Sequence, residues 1–145
     1  QWIEGVELAV SVIGTGWDAH ALPPVEIVPK RGLYDTAARM DASLVDYYAP
    51  VRNESLSSNE ADAQAMRAEI ERAVLEVYRA YGLRDLGRID LIWDGAQARV
   101  METNVSPGMT ETSLFPAACK AGGLSLSAVL NELVSNAKER GAVFC

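Results

Sequence analysis

The sequence offers little to a polyanion. Its 145 residues hold 13 lysines and arginines against 20 aspartates and glutamates, for a formal net charge of −7. No basic block is interleaved with aromatics, which excludes a nucleic-acid partner. Cysteine is nearly absent. Cys119 and Cys145 frame neither a disulfide scaffold nor a zinc site. No apolar run reaches the roughly 18 residues of a membrane span, and no signal peptide is visible. A cytoplasmic protein without a membrane partner is the expectation. Repeats and low-complexity tracts are missing too, and so is an initial methionine. Gln1-Trp2-Ile3-Glu4 leads almost at once into a strand, which reads as a piece of something longer.

What is present is an ordinary globular composition, 49% hydrophobic and 23% charged. A chain of this length buries roughly 70% of its unfolded surface. Val6, Leu8, Val10 and Val12 alternate with Glu7, Ala9, Ser11 and Ile13, predicting a half-buried strand that ends at Gly14. Gly14-Thr15-Gly16 precedes no helical pattern and reads as a plain turn. Pro23-Pro24 leads into a short strand over Val25–Val28. Residues 31–56 read as loop, with one helical turn near Asp35–Met40 and three tyrosines, Tyr34, Tyr47 and Tyr48. So long an irregular stretch suits a functional lid.

Ser57-x-x-Glu60 has the form of a capping box opening a long helix. Met66, Ile70, Ala73, Val74, Val77, Tyr78 and Tyr81 recur at helical spacing as its core stripe, and Gly82 ends it. Arg88–Trp93 and Ala98–Asn104 read as strands around a turn at Asp94-Gly95. A last helix covers about Ser125–Arg140, with Leu126, Val129, Leu130, Leu133, Val134 and Ala137 inward. Together these elements predict an α+β fold, a mostly antiparallel sheet packed by helices.

The polar residues of the hairpin are Arg88, Asp90, Glu102 and Asn104. Each pair is spaced by two and shares one sheet face. A two-residue turn sends Asp90 and Glu102 to opposite faces. A three-residue turn, Trp93-Asp94-Gly95, brings all four side chains together. The apolar alternation favours the odd-length turn, although Met101 fits neither register. On one face, Asp90, Glu102 and Asn104 offer hard oxygen ligands suited to Mg²⁺ or Mn²⁺. The plainer alternative is a solvated sheet face. Beyond the strand, Gly108 lets backbone approach a ligand, and its N–H beside Arg88 suits an oxyanion. Thr110, Thr112 and Ser113 then lead into a helix whose N-terminus favours a carboxylate.

At these residues the sequence resembles a known family. Arg88-Ile-Asp90, followed by Glu102-Thr-Asn104-Val-Ser-Pro-Gly-Met-Thr-Glu-Thr-Ser113-Leu-Phe-Pro116, resembles the signature of the D-alanine–D-alanine ligases of the ATP-grasp superfamily. The similarity continues through Ala117–Gly122, Leu124–Ala137, Glu4–Gly14 and Leu22–Ile27. It implies that residues 1–145 form the C-terminal subdomain of an ATP-grasp ligase, whose N-terminal half is absent. It further implies that Asp90, Glu102 and Asn104 bind two Mg²⁺ (or Mn²⁺) ions on ATP, with Glu102 bridging. Arg88 and the Gly108 backbone match groups stabilising a tetrahedral intermediate. Ser113 and Leu114 match the site of the second D-alanine carboxylate, and Trp2 and Glu7 match adenine and ribose contacts.

The implied reaction phosphorylates one D-alanine with ATP and joins it to a second, for peptidoglycan synthesis, in a full-length homodimer. In the implied mobile lid, about 31–50, the family carries Lys-Tyr where this chain has Arg39-Met40. Arg39 keeps a cation for the γ-phosphate, but Met40 cannot donate a hydroxyl hydrogen bond. This leaves D-lactate or another amino acid open as acceptor. A fragment that only binds nucleotide or metal is a further alternative.

Overall fold

The computed structural model of the chain describes residues 2–141 apart from 35, 37, 39 and 40. Six strands make one sheet: β1 (Val6–Ile13), β2 (His20–Ala21), β3 (Val25–Pro29), β4 (Val45–Tyr48), β5 (Leu86–Trp93) and β6 (Ala98–Asn104). The order is β4-β3-β1-β5-β6, with β2 paired to β1. Every pairing is antiparallel. Four helices are described: α1 (Asn53–Leu56), α2 (Glu60–Ala80), α3 (Leu114–Ala121) and α4 (Leu126–Arg140). The expected α+β architecture is the one observed.

β1 is not half-buried as its alternation suggested. Leu8, Val10 and Val12 pack on one face with Ile70, Val74 and Tyr78 of α2. Ala9 and Ile13 pack on the other with Leu114, Phe115, Ala118 and Cys119 of α3 and Val129 of α4. Helices on both faces bury a central strand from both sides, so its sequence need not alternate.

Three helix details also differ from the expectation. The N-cap of α2 is Asn59, whose side chain accepts from the Ala61 and Asp62 N–H groups. Ser57 accepts instead from the Asn59 N–H. The helix therefore starts too late for a Ser57–Glu60 capping box. Tyr81, assigned to the core stripe, is the exposed C-cap, and Gly82 follows with φ 63°. On α4, Val129 is buried, whereas Leu130, Val134 and Ala137 are exposed. One helix face alone meets α3 and the sheet.

The segment read as loop holds more structure than expected. It contains a 3-10 turn at Ala42–Leu44, strand β4 and helix α1. β4 escaped notice because Val-Asp-Tyr-Tyr is four residues long and its pairing with β3 is a tertiary event. Thr36 and Ala38 are helical, as expected near there, while Asp35, Arg39 and Met40 lie outside the described residues. Buried Glu26 ties this segment to the sheet. Its carboxylate accepts from Arg52 Nε and Nη2 at 3.0 and 2.7 Å, from the Arg52 N–H at 3.2 Å and from Ser55 Oγ at 2.7 Å.

Candidate active site

The hairpin brings the four polar residues together, by a route the sequence did not disclose. Trp93 pairs with Ala98, so the turn spans four residues, Asp94 to Gln97, and is even. An even turn in a regular ladder would set Asp90 opposite Met101, with Glu102 on the other face. A β-bulge intervenes. Leu91 pairs with Val100, but Asp90 pairs with Glu102, leaving Met101 without a partner. From there inward Ile89 meets Thr103 and Arg88 meets Asn104. The turn is even, not odd as expected, and the expected shared face is nevertheless present. The turn itself is held by Asp94, which accepts from the Ala96 and Gln97 N–H groups and pairs with Arg99.

On this face Arg88 grips Asp90 side-on, with Nε to Oδ1 at 2.7 Å and Nη2 to Oδ2 at 2.8 Å. Burial disfavours the charged guanidinium, but the bonds and charge of Asp90, helped by Tyr34 and Glu102, override it and raise its pKa. Glu102, the carboxylate opposite, is exposed and has no ion pair among the described residues. Asn104 turns its Oδ1 back to accept from the Ser106 N–H at 2.9 Å. No cluster of three histidine, cysteine or carboxylate side chains occurs among the described residues. The set here is two carboxylates and an amide oxygen. Such hard, incomplete ligation fits a Mg²⁺ or Mn²⁺ ion that completes its shell with phosphate oxygens and water.

Beside it lies a pocket of about 220 Å³ lined by Tyr34, Tyr47, Arg88, Gly108, Thr110, Thr112, Ser113 and Leu114. The four residues singled out from the sequence, Arg88, Gly108, Ser113 and Leu114, all meet there. Space is tight at Gly108: a Cβ there would lie 2.7 Å from Ser113 Oγ. Ser113 is the N-cap residue of α3 but caps nothing with its side chain. Its Oγ bonds Thr110 Oγ1 at 2.7 Å and accepts from the Thr110 N–H at 3.2 Å. The opening N–H groups of α3 are thus left toward the pocket, with Leu114 on its wall.

Tyr34 and Tyr47 close the far side, their hydroxyls 2.8 Å apart. The sequence noted both tyrosines but put neither in the site. Tyr47 reaches it only through the β3–β4 pairing.

Along the same face, Trp2, Ile3, Glu7, Leu33, Tyr34, Ile92 and Met101 line an apolar cleft of about 270 Å³. Trp2 and Glu7 also border an adjoining cleft of about 430 Å³ that reaches Glu26 and Arg52. Met101, which the bulge leaves out of the ladder, turns up here as a wall. Arg39 lies outside the described residues, so the cation expected for the γ-phosphate has no described position.

Comparisons with known proteins show the family of the chain. The family model described as "D-ala D-ala ligase C-terminus" matches residues 1–135. The chain belongs to this family. A D-alanine–D-alanine ligase of Bordetella petrii is 40% identical over 139 residues, covering 94% of this chain and 40% of that protein. The crystal structure of the Bacillus anthracis D-alanine–D-alanine ligase superposes with a TM-score of 0.69 at 25% identity, covering 93% of this chain and 40% of that one. The VanG D-Ala:D-Ser ligase of Enterococcus faecalis gives a TM-score of 0.71 at 25% identity, covering 93% of this chain and 37% of that one. The fold is that of the ATP-grasp ligases, and the chain spans about two-fifths of the length of these relatives.

Proposed function

We propose that the chain is the C-terminal catalytic part of an ATP-dependent D-alanine–D-alanine ligase serving peptidoglycan synthesis in the cytoplasm. The observation that carries this reading is the one sheet face shared by Asp90, Glu102, Asn104 and Arg88, beside the pocket of Gly108 and Ser113. Asp90, Glu102 and Asn104 would hold two Mg²⁺ or Mn²⁺ ions. A bound ion would neutralise the phosphate oxygens of ATP and lessen the repulsion between the two carboxylates.

In this reading adenine lies in the cleft of Trp2, Ile92 and Met101, with Glu7 toward the ribose. The γ-phosphoryl group passes from ATP to the carboxylate of the first D-alanine, giving an acylphosphate and ADP. The second D-alanine docks its carboxylate on Ser113 and the Leu114 N–H at the start of α3. Its amino nitrogen forms a bond to the acyl carbon, phosphate departs with its bonding electron pair, and the nitrogen loses a proton. Arg88 and the Gly108 N–H stabilise the oxyanion of the tetrahedral intermediate, which exists once the nitrogen has bonded and until phosphate departs. Arg39 would be the lid's cation for the γ-phosphate, and the lid would exclude water from the acylphosphate.

Because the chain spans about two-fifths of its relatives, the 145-residue chain alone should release no phosphate from ATP, Mg²⁺ and D-alanine. A full-length homodimeric protein carrying it should form one dipeptide per phosphate released. No dipeptide from the full-length protein overturns the reading in favour of a non-catalytic binding fragment. Turnover by the chain alone would show that every group the reaction needs lies within it.

A second reading keeps the chemistry and changes the acceptor to D-serine or D-lactate. The hydroxyl-rich wall of Tyr47, Thr110, Thr112 and Ser113 favours it, as does the likeness to the D-Ala:D-Ser ligase of Enterococcus faecalis. Competing D-alanine, D-serine and D-lactate in one assay decides between the two.

A further inference from the structure

Ser11 sits in the middle of the central strand, 1% exposed, and its Oγ makes no hydrogen bond. A buried hydroxyl without a partner is uncommon, because leaving it unsatisfied costs stability. Its place in the sheet sets a strong donor beside it. Ser11 pairs in register with Arg88, and Ala9 pairs with Asp90, all four facing the same side.

Arg88 has two tasks to reconcile. It holds both oxygens of Asp90, yet it also borders the acceptor pocket. A metal ion drawing charge from the Asp90 oxygens weakens their hold on the guanidinium, since both compete for the same lone pairs. When Asp90 turns to a cation, the guanidinium needs another acceptor. The strand order sets the direction of its move, since β1 and β3 lie between β5 and β4, the strand that carries Tyr47 of the pocket wall. A guanidinium leaving Asp90 for the pocket passes over β1. There the small side chain of Ala9 gives way, and Ser11 presents the unpartnered oxygen.

We propose that Ser11 is a positioning residue for Arg88: its Oγ accepts a guanidinium N–H once Asp90 holds a metal ion, keeping the charge over the acceptor pocket. This rests on the reading of Asp90 as a metal ligand. It makes Ser11 and metal affinity interdependent, although Ser11 never touches the metal. With Ser11 in place, releasing Asp90 costs Arg88 less. Without it, Arg88 competes harder for Asp90.

The test is Mn²⁺ binding, read by electron paramagnetic resonance on the 145-residue chain with and without ATP, with circular dichroism to check the fold. Ser11→Ala should weaken Mn²⁺ binding about fivefold, the weight of one hydrogen bond. Ser11→Thr, which keeps the hydroxyl and suits a strand, should restore it. Arg88→Ala should tighten Mn²⁺ binding, and adding Ser11→Ala to it should change nothing further. A hydroxyl that merely filled the core would weaken binding equally in both backgrounds, and that result overturns the proposal. So does wild-type affinity in Ser11→Ala. Asp90→Asn separates the two readings: if it leaves Mn²⁺ binding intact, or if the wild-type chain binds no Mn²⁺, the metal reading itself fails and takes this one with it.

Discussion

Asp90 and Glu102 face each other across the last hairpin as direct partners, and they do so because Met101 is left out of the ladder between them. One extra residue restores the parity that a four-residue turn would have spoiled. It also delivers an apolar side chain, 62% exposed, to the wall of the neighbouring cleft. The bulge serves two sites at once.

Met101→Ala should therefore weaken nucleotide binding without touching the opposed carboxylates. Truncating one of the seven residues that line this cleft should lower ATP affinity by about tenfold, on the scale of one to two buried methylenes. Fluorescence of Trp2, which lines the same cleft, follows the titration. An equal loss of Mn²⁺ affinity would show that the bulge, not the side chain, had been disturbed.

Glu102→Gln should abolish ligation in the full-length protein while leaving the fold intact. Two opposed carboxylates repel when no cation lies between them, so without added metal the variant should melt at the same temperature as the wild type or slightly higher. Near-normal turnover at saturating Mg²⁺ would exclude a bridging role for this carboxylate.

Gly108→Ala introduces a Cβ 2.7 Å from Ser113 Oγ. Ser113 is a short side chain on the pocket rim, so the clash should displace that hydroxyl, and its bonds to Thr110, rather than the core. The expected result is a raised KM for the second substrate, a smaller change in KM for ATP and an unchanged melting temperature. Equal changes in both KM values would place Gly108 elsewhere in the mechanism.

Acid should weaken the fold through two carboxylates. Burial alone would raise the Glu26 pKa, but hydrogen bonds from Arg52 and Ser55 hold it below the usual range. The Arg99 side chain, with the Gln97 and Ala96 N–H groups, holds Asp94 down at about 2. Both groups are depressed in the folded state, so the unfolded chain takes up protons first on acidification. Their stabilisation is complete above the ordinary carboxylate range and is lost as pH falls through it toward 2. Glu26→Ala should cost about 2 kcal/mol, less than a fully buried pair because Arg52 is partly exposed. Urea midpoints at pH 7 and pH 3 measure both effects, and the variant should lose part of the wild type's pH dependence.

Much of the fold was legible in the chain itself. Strands β1, β3, β5 and β6 and helix α2 show their periodicity over enough residues to be read locally. The site residues were legible for a different reason: Glu102-Thr-Asn104 through Ser113 is one contiguous stretch, whose strand, turn and helix start follow from alternation, Pro-Gly and hydroxyls. What tertiary structure decided were the relations between segments. The register at Asp90 depends on whether a bulge is cheaper than burying a carboxylate, a balance struck across two strands and the helix beneath them. Tyr47 enters the pocket through pairing of β4 with β3, and four residues carry no such signal alone. Ser11 looks like any polar residue in an alternating strand until α3 and α4 cover its face of the sheet and the β1–β5 register sets it beside Arg88. Spacing along the chain determined which side chains share a face; packing between segments determined which of those faces meet.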